Sequence, residues 1–290
     1  MSCCKSKLLT AICLTITLFI SCGEEYTEPA ADSWVAVEAQ GEGTILLNYV
    51  PSDGFSYDDE EGNTTGVTIE LMRDFVSFVE SQYEVNLSLK LNPIERFFDF
   101  YQTVVDGVPG EFGVANVTIT EERRNELAFS PLYMKNIAVL ITHSNVDEID
   151  DLNEISDAFS GLNGLAFEST LHETRISEII SRWLPEAGME YAHSNNEIIE
   201  RTSAGNHYFS YVDIYNYWRA SEQGAELTRH SAGDDPGEQF GVIMPLNTDW
   251  QELINEFFEH DGGYLYSNRY RQIMETHLGP ELAELLLDAL

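Results

Sequence analysis

The chain has 290 residues, of which 43% are hydrophobic and 11% aromatic, with a formal net charge of −35. That composition excludes a disordered chain and leaves ample material for the core of one large or two moderate domains. So acidic a balance argues against nucleic acid or an anionic membrane surface as a partner, and suits a protein kept soluble in high salt, where exposed charges are screened.

Residues 1–22 read as a targeting segment rather than as structure. Lys5 and Lys7 make a positive start, Leu8 to Ile20 is an apolar run short for a bilayer-spanning helix, and Ser21-Cys22 closes it. All four cysteines (Cys3, Cys4, Cys13, Cys22) lie in this segment, so the rest of the chain has no disulfide and no cysteine metal ligand. Residues 1–21 hold two lysines and no acid, so the remainder carries −37 against −35 for the whole. Gly23 to about Gly43 is polar and acidic, contains Pro29 and reads as a tether.

Thr44 to Val50 reads as a strand, followed by the turn Pro51-Ser52-Asp53-Gly54 and an acidic turn at Asp58 to Gly62. Val67 to Tyr83 is an amphipathic helix with Ile69, Met72, Val76, Val79 and Tyr83 on one face. Val85 to Leu91 alternates as a strand, Glu95 to Asp106 reads as a helix, and Phe112 to Ile119 as the next strand. This order predicts an α/β fold with a largely parallel sheet. Ile137 to Thr142 is a strongly apolar strand, after which a second α/β pattern begins. It has strands at Gly164 to Phe167 and Tyr208 to Asp213, helices at Leu171 to Leu184 and Asn195 to Ser203, and then a buried strand at Gln239 to Met244. Asp249 to His260 carries Trp250, Leu253, Ile254, Phe257 and Phe258 at helical spacing; Tyr264 to His277 and Glu281 to Leu290 read as closing helices.

Ala115 to Arg123 (ANVTITEER) holds the most chemistry. Thr120 is placed to cap a helix whose first turn contains Glu121 and Glu122. Amides at such a start attract anions, and the planar fork of Arg123 matches a carboxylate bidentately. Asn116 and Thr118 alternate onto the strand face of Thr120. Read alone, the same stretch is better read as an ordinary capped helix with a surface arginine. The seven histidines show no metal-binding spacing, and there is no Gly-rich phosphate loop, no nucleophile elbow and no cysteine nucleophile outside the leader. No metal and no cofactor is implied.

The order of motifs resembles solute-binding protein family 3, the extracytoplasmic receptors for polar amino acids in ABC transporters. The matching residues are Gly54-Phe55, Gly66-Val67-Thr68-Ile69-Glu70-Leu71-Met72, Thr118-Ile119-Thr120-Glu121-Glu122-Arg123, Phe129-Ser130-Pro131-Leu132-Tyr133 and Asp261-Gly262-Gly263-Tyr264. The resemblance implies a periplasmic-binding-protein type II fold: two α/β lobes joined by a two-crossing hinge, with a ligand cleft between them. Lobe one is then about 44–140 plus 241–290, and lobe two about 141–240. It also implies that Arg123 binds a ligand α-carboxylate, with Asn116 and Thr118 as nearby donors, and that Ser169 and Thr170 contribute from lobe two. Asp213 falls where the ammonium partner is expected. Phe55 and Tyr57 either stack on the ligand or fill the lobe; Thr170 with Glu173 also forms a capping box, and Asp213 also caps the helix from Ile214 to Ala220. Phe19-Ile20-Ser21-Cys22 resembles a bacterial lipobox, in which Cys22 becomes the lipidated first residue.

The expected function is an extracytoplasmic, lipid-anchored, monomeric receptor that captures an amino acid or related carboxylate and hands it to an ABC permease. It touches the membrane through its lipid alone and binds no nucleic acid. The alternatives are a dehydratase-like enzyme on the same fold, with Glu168 as the cleft acid or base, and a ligand-sensing lipoprotein without transport.

Overall fold

Two long strands organise the molecule. The computed structural model describes residues 31–288 and 290; the targeting segment and Cys22 lie outside the described residues. In chain order the elements are α1 (Trp34–Gln40), β1 (Glu42–Tyr49), β2 (Tyr57–Asp58), β3 (Thr64–Thr65), α2 (Val67–Tyr83), β4 (Asn86–Pro93), α3 (Phe97–Val105), β5 (Glu111–Thr118) and α4 (Glu121–Arg124). Then come β6 (Leu127–His143), α5 (Ile155–Ala158), β7 (Asn163–Phe167), α6 (Leu171–Trp183), β8 (Met189–Ala192), α7 (Asn195–Ser203), β9 (Tyr208–Asp213) and α8 (Ile214–Glu222). The chain closes with β10 (Leu227–Pro245), α9 (Gln251–Glu259), α10 (Asn268–Leu278) and α11 (Pro280–Asp288).

One continuous sheet runs β4-β1-β5-β10-β6-β9-β7-β8. Pairing is parallel in β4-β1-β5 and in β9-β7-β8, as an α/β chain requires, and antiparallel across β5-β10-β6-β9. The fold is thus two parallel α/β blocks stitched by a pair of antiparallel crossing strands, β6 and β10. Both crossing strands extend well ahead of the apolar runs at 137–142 and 239–244. Pro131 and the stretch Gly233-Asp234-Asp235-Pro236-Gly237 sit within these strands, in a ladder whose register shifts between His230 and Asp235 and between Asp235 and Glu238. Bulges absorb the irregular residues and let the strands bend between lobes.

In the lobe built on β4, β1 and β5, Phe75, Phe112, Trp250 and Phe257 pack ring against ring at centroid distances of 5.6–6.3 Å. The other lobe has its own core around Ile155, Phe159, Ile176 and Phe209. The first core also takes in a segment expected to be tether. Residues 34–40 form α1, whose first amides, Trp34 N and Val35 N, donate to the Asp249 carboxylate at 2.8 and 3.0 Å. Trp34 stands edge-on to Trp250 at 5.4 Å, and Trp250 Nε1 donates to the Asp32 carbonyl at 3.1 Å. An acidic composition hid a helix held by contacts more than two hundred residues away in the chain. Likewise, residues 264–277 do not form one helix: Ser267 caps α10 by accepting from Tyr270 N at 3.1 Å, which separates off a short turn before it.

One glycine fixes the cleft edge. Gly66 has φ +122°, and a Cβ there would lie 2.3 Å from the Phe55 carbonyl oxygen. Its absence lets Thr68 donate from both N (3.1 Å) and Oγ1 (2.7 Å) to that carbonyl, locking the turn that carries Phe55.

Candidate functional site

A cavity of about 470 Å³ lies between the lobes at the crossing strands. Of the eight ligand contacts expected from sequence, seven line it: Phe55, Tyr57, Asn116, Thr118, Arg123, Thr170 and Asp213. Ser169 does not. It is exposed, has φ +64°, and faces an adjoining depression shared with Phe97, Tyr101 and Arg123.

Arg123 stands at the cation end. Thr120 Oγ1 accepts from Arg123 N at 3.2 Å, the expected cap, but α4 is a single turn and too short to add a helix dipole. What it does is aim the side chain. The guanidinium donates to the Thr118 carbonyl at 3.0 Å and lies over the rings of Phe97 and Tyr101 at 5.8 and 5.7 Å. No carboxylate among the described residues comes within ion-pair distance of it. Burial pushes its pKa down, with Tyr101, Glu238 and Glu126 opposing at longer range. A half-buried cation without a counter-ion is costly, and an anion entering the cavity relieves that cost.

The opposite end is anionic. Asp213 is 8% exposed, and its side chain does not cap α8. Its Oδ1 accepts from Asn136 Nδ2 at 2.7 Å and lies 3.3 Å from His172 Nε2. Glu238 is 3% exposed; its Oε2 accepts from the same Asn136 Nδ2 at 2.5 Å, and its Oε1 from Arg175 at 2.8 Å. Arg175 also donates to Asp235 at 2.6 Å and to His172 Nδ1 at 3.2 Å, which leaves the ring proton on Nε2, facing Asp213. Burial works against the Arg175 charge, but Glu238 and Asp235 outweigh it and hold its pKa above the ordinary value.

Aromatic residues form the walls. Phe55 is 1% exposed and lies 4.4 Å from the Tyr215 ring; the Tyr215 hydroxyl meets Ser52 Oγ at 2.8 Å. Asn116 has φ +53° and spends its amide on tyrosines, accepting from Tyr133 at 2.7 Å and donating to Tyr215 at 3.4 Å. Tyr57 bonds His277 Nδ1 at 3.0 Å. Thr170 spends its hydroxyl on its own helix start, accepting from His172 N at 3.2 Å and donating to the Phe167 carbonyl at 2.9 Å. Glu173 reaches back to Ser169 N at 2.7 Å, one residue before the cap, so Thr170 caps the helix but the reciprocal bonds of the expected capping box do not form.

The lobes also touch directly. Arg96 pairs with Glu168 at 2.9 Å and Arg219 with Asp53 at 3.2 Å, in both cases from opposite lobes. Glu168 also lies 3.0 Å from His193 Nδ1 and does not line the cavity, which takes it away from the cleft-acid role considered for it. Sequence reading missed Glu238, His172 and Tyr215 as cavity residues. His172 and Tyr215 each follow an expected site residue by two positions, and Glu238 stands directly before the apolar run at 239–244.

No protein-family model matches the chain. A membrane-bound lytic murein transglycosylase F of Maricaulis maris is 25% identical over 189 residues, covering 63% of this chain and 39% of that protein. The chain therefore spans well under half the length of that curated relative. Among solved structures, an ancestral arginine-binding protein bound to arginine has a TM-score of 0.65 at 19% identity, covering 81% of this chain and 98% of that one. A putative L-cystine ABC transporter protein from Listeria monocytogenes has a TM-score of 0.66 at 12% identity, covering 82% and 97%. An ancestral amino-acid-binding protein, a precursor of cyclohexadienyl dehydratase, has a TM-score of 0.61 at 17% identity, covering 84% and 98%. The fold is the type II periplasmic-binding-protein fold, and the structures it is similar to include amino-acid-binding proteins and the forerunner of an enzyme. Among the described residues no helix is long and apolar enough to cross a membrane.

Proposed function

We propose that this chain is an extracytoplasmic receptor that captures an amino acid between its two lobes and delivers it to an ABC-type permease. It acts as a monomer held to the membrane through lipidated Cys22. The lobes are 44–140 with 241–290, and 141–240, and α1 belongs with the first. The single observation behind the ligand class is Arg123, a half-buried guanidinium with no carboxylate in reach, at one end of a cavity whose other end holds Asp213, with Glu238 on a strand between them. A zwitterion bridges those ends, and because they lie on different lobes, its binding energy favours the closed arrangement.

No covalent step is needed. Glu238, the buried acid of the cleft, is held by Arg175 and Asn136 and is placed for charge pairing rather than proton donation. The test is a thermal-shift screen of the twenty standard amino acids against the protein. A ligand at a hundred times its Kd adds about 2.7 kcal/mol to the native state, which moves the midpoint of a chain this size by several degrees. A flat response to all twenty, with calorimetry also silent, sinks the proposal; turnover of a bound carboxylate points instead to the dehydratase reading.

A further inference from the structure

The sheet places the polar residues of the cavity in a row. Thr118, whose carbonyl holds Arg123, pairs with Phe240 across β5-β10. Glu238, two residues before Phe240, pairs with Asn136 across β10-β6. Ala138, two residues after Asn136, pairs with Asp213 across β6-β9. Adjacent strands lie about 4.8 Å apart. Glu238 therefore sits one strand from the cation end, and Asp213 sits three. In an α-amino acid the ammonium and carboxylate are borne by the same carbon, so an ammonium tethered to a carboxylate at Arg123 reaches the Glu238 strand before it reaches that of Asp213.

The charges of this corner do not balance. Asp213, Glu238 and Asp235 face one permanent cation, Arg175. Asn136 Nδ2 divides itself between Asp213 and Glu238, while its own Oδ1 is buried without a partner. Asp213 Oδ2 takes no hydrogen bond from the described residues, although Asp213 is nine-tenths buried and lines the cavity. An ionised carboxyl group accepts at about four lone-pair sites, so Glu238 keeps capacity beyond Asn136 and Arg175.

We infer that Glu238 is a second carboxylate of the ammonium subsite, shared with Asp213, and that it sets the preference for a charged α-ammonium over an uncharged group at that carbon. This rests on the reading of the cavity as an amino-acid site. Arg175 and His172 act as positioning residues: Arg175 holds Glu238 and Asp235 from behind, and His172 turns Asp213.

The experiment compares, by calorimetry, the tightest-binding of the twenty standard amino acids with its 2-hydroxy acid counterpart, which replaces the ammonium by a hydroxyl. The wild-type protein binds the amino acid more tightly. In Glu238→Gln that preference falls by about tenfold or more, the worth of one hydrogen bond to a charged group, while the hydroxy acid changes little. Glu238→Asp keeps the charge on Arg175 but draws the carboxylate back, so it lowers the preference even if the glutamine variant does not fold. A role confined to holding Arg175 weakens both ligands by the same factor and leaves the preference unchanged; that result overturns the inference while the amino-acid reading stands. Failure of all twenty amino acids to bind the wild type overturns the amino-acid reading, and this inference with it.

Discussion

Removing the guanidinium of Arg123 tests the site at its strongest point. In Arg123→Ala the protein loses one hydrogen bond to the Thr118 carbonyl and two ring contacts near 5.8 Å. Exposed or half-exposed cation–π contacts are worth about 0.5–1 kcal/mol each, and deleting a buried cation with no counter-ion recovers desolvation cost. The two effects oppose each other, so thermal stability without ligand changes by no more than about 1 kcal/mol. Binding is a different matter. Truncating one partner of a buried, hydrogen-bonded charge pair costs about 2–5 kcal/mol, which is a loss of roughly 30- to 4,000-fold in Kd. Arg123→Lys keeps the charge but not the fork and falls between. Calorimetry with the amino acid and with its carboxamide separates the causes: the wild type prefers the carboxylate, and the alanine variant does not. An unchanged Kd in Arg123→Ala, in a variant that melts like the wild type, would refute the carboxylate clamp.

The carboxylates Asp53, Asp58, Glu95, Asp213 and Glu238 all line the cavity, so L-glutamate and L-aspartate bind more weakly than L-glutamine and L-asparagine in competition calorimetry; the reverse order contradicts this electrostatic account. The Arg96–Glu168 and Arg219–Asp53 pairs join the lobes, so Glu168→Gln and Arg219→Gln weaken ligand binding at low salt and match the wild type at molar salt, where the screening length is about 3 Å. His230 is fully buried, accepts from Ile149 N at 3.3 Å, and burial pushes its pKa down to about 4 from 6.5. The unfolded chain takes up that proton first, so this contribution is intact above pH 6.5 and is lost as pH falls toward 4, by about 3 kcal/mol in all. His230→Gln accordingly shows a shallower loss of denaturant stability over that range, and an identical slope removes His230 from the account. Asp249→Ala leaves the Ser33 cap but removes the acceptor for the first two amides of α1, lowering stability by about 1 kcal/mol with no effect on Kd.

Periodicity carried most of the fold. The helix over 67–83, the helix over 195–203 and the strand over 208–213 fall where the apolar spacing puts them, because each buries one face on its own lobe. What the pattern does not encode is contact between distant segments. Helix α1 is a seven-residue apolar island, WVAVEAQ, inside an acidic stretch and depends on Trp250 and Asp249, so the segment around it reads as linker. The crossing strands contain Pro131 and Pro236, which a one-dimensional reading treats as breaks, while a bulged antiparallel pair accommodates both.

The site divides along the same line. Arg123 and Asp213 were legible because one lies in the turn of helix just after a strand and the other at a strand end, each in its own block beside residues that form a motif. Glu238 was not, because its meaning lies in register. Alone in the chain it is one acid among 50. It becomes distinctive when Glu238 pairs with Asn136, Ala138 with Asp213, and Phe240 with Thr118, so that four neighbouring strands carry the carbonyl that holds the cation, an acid, an amide and an acid in sequence across the sheet. Those pairings join residues from 75 to more than 120 positions apart, and three of the four strands meet only because the chain crosses between lobes twice. The crossing strands therefore act as more than a hinge. They bring the anion of one lobe to the cation of the other, and they place a carboxylate of their own in the cavity between them.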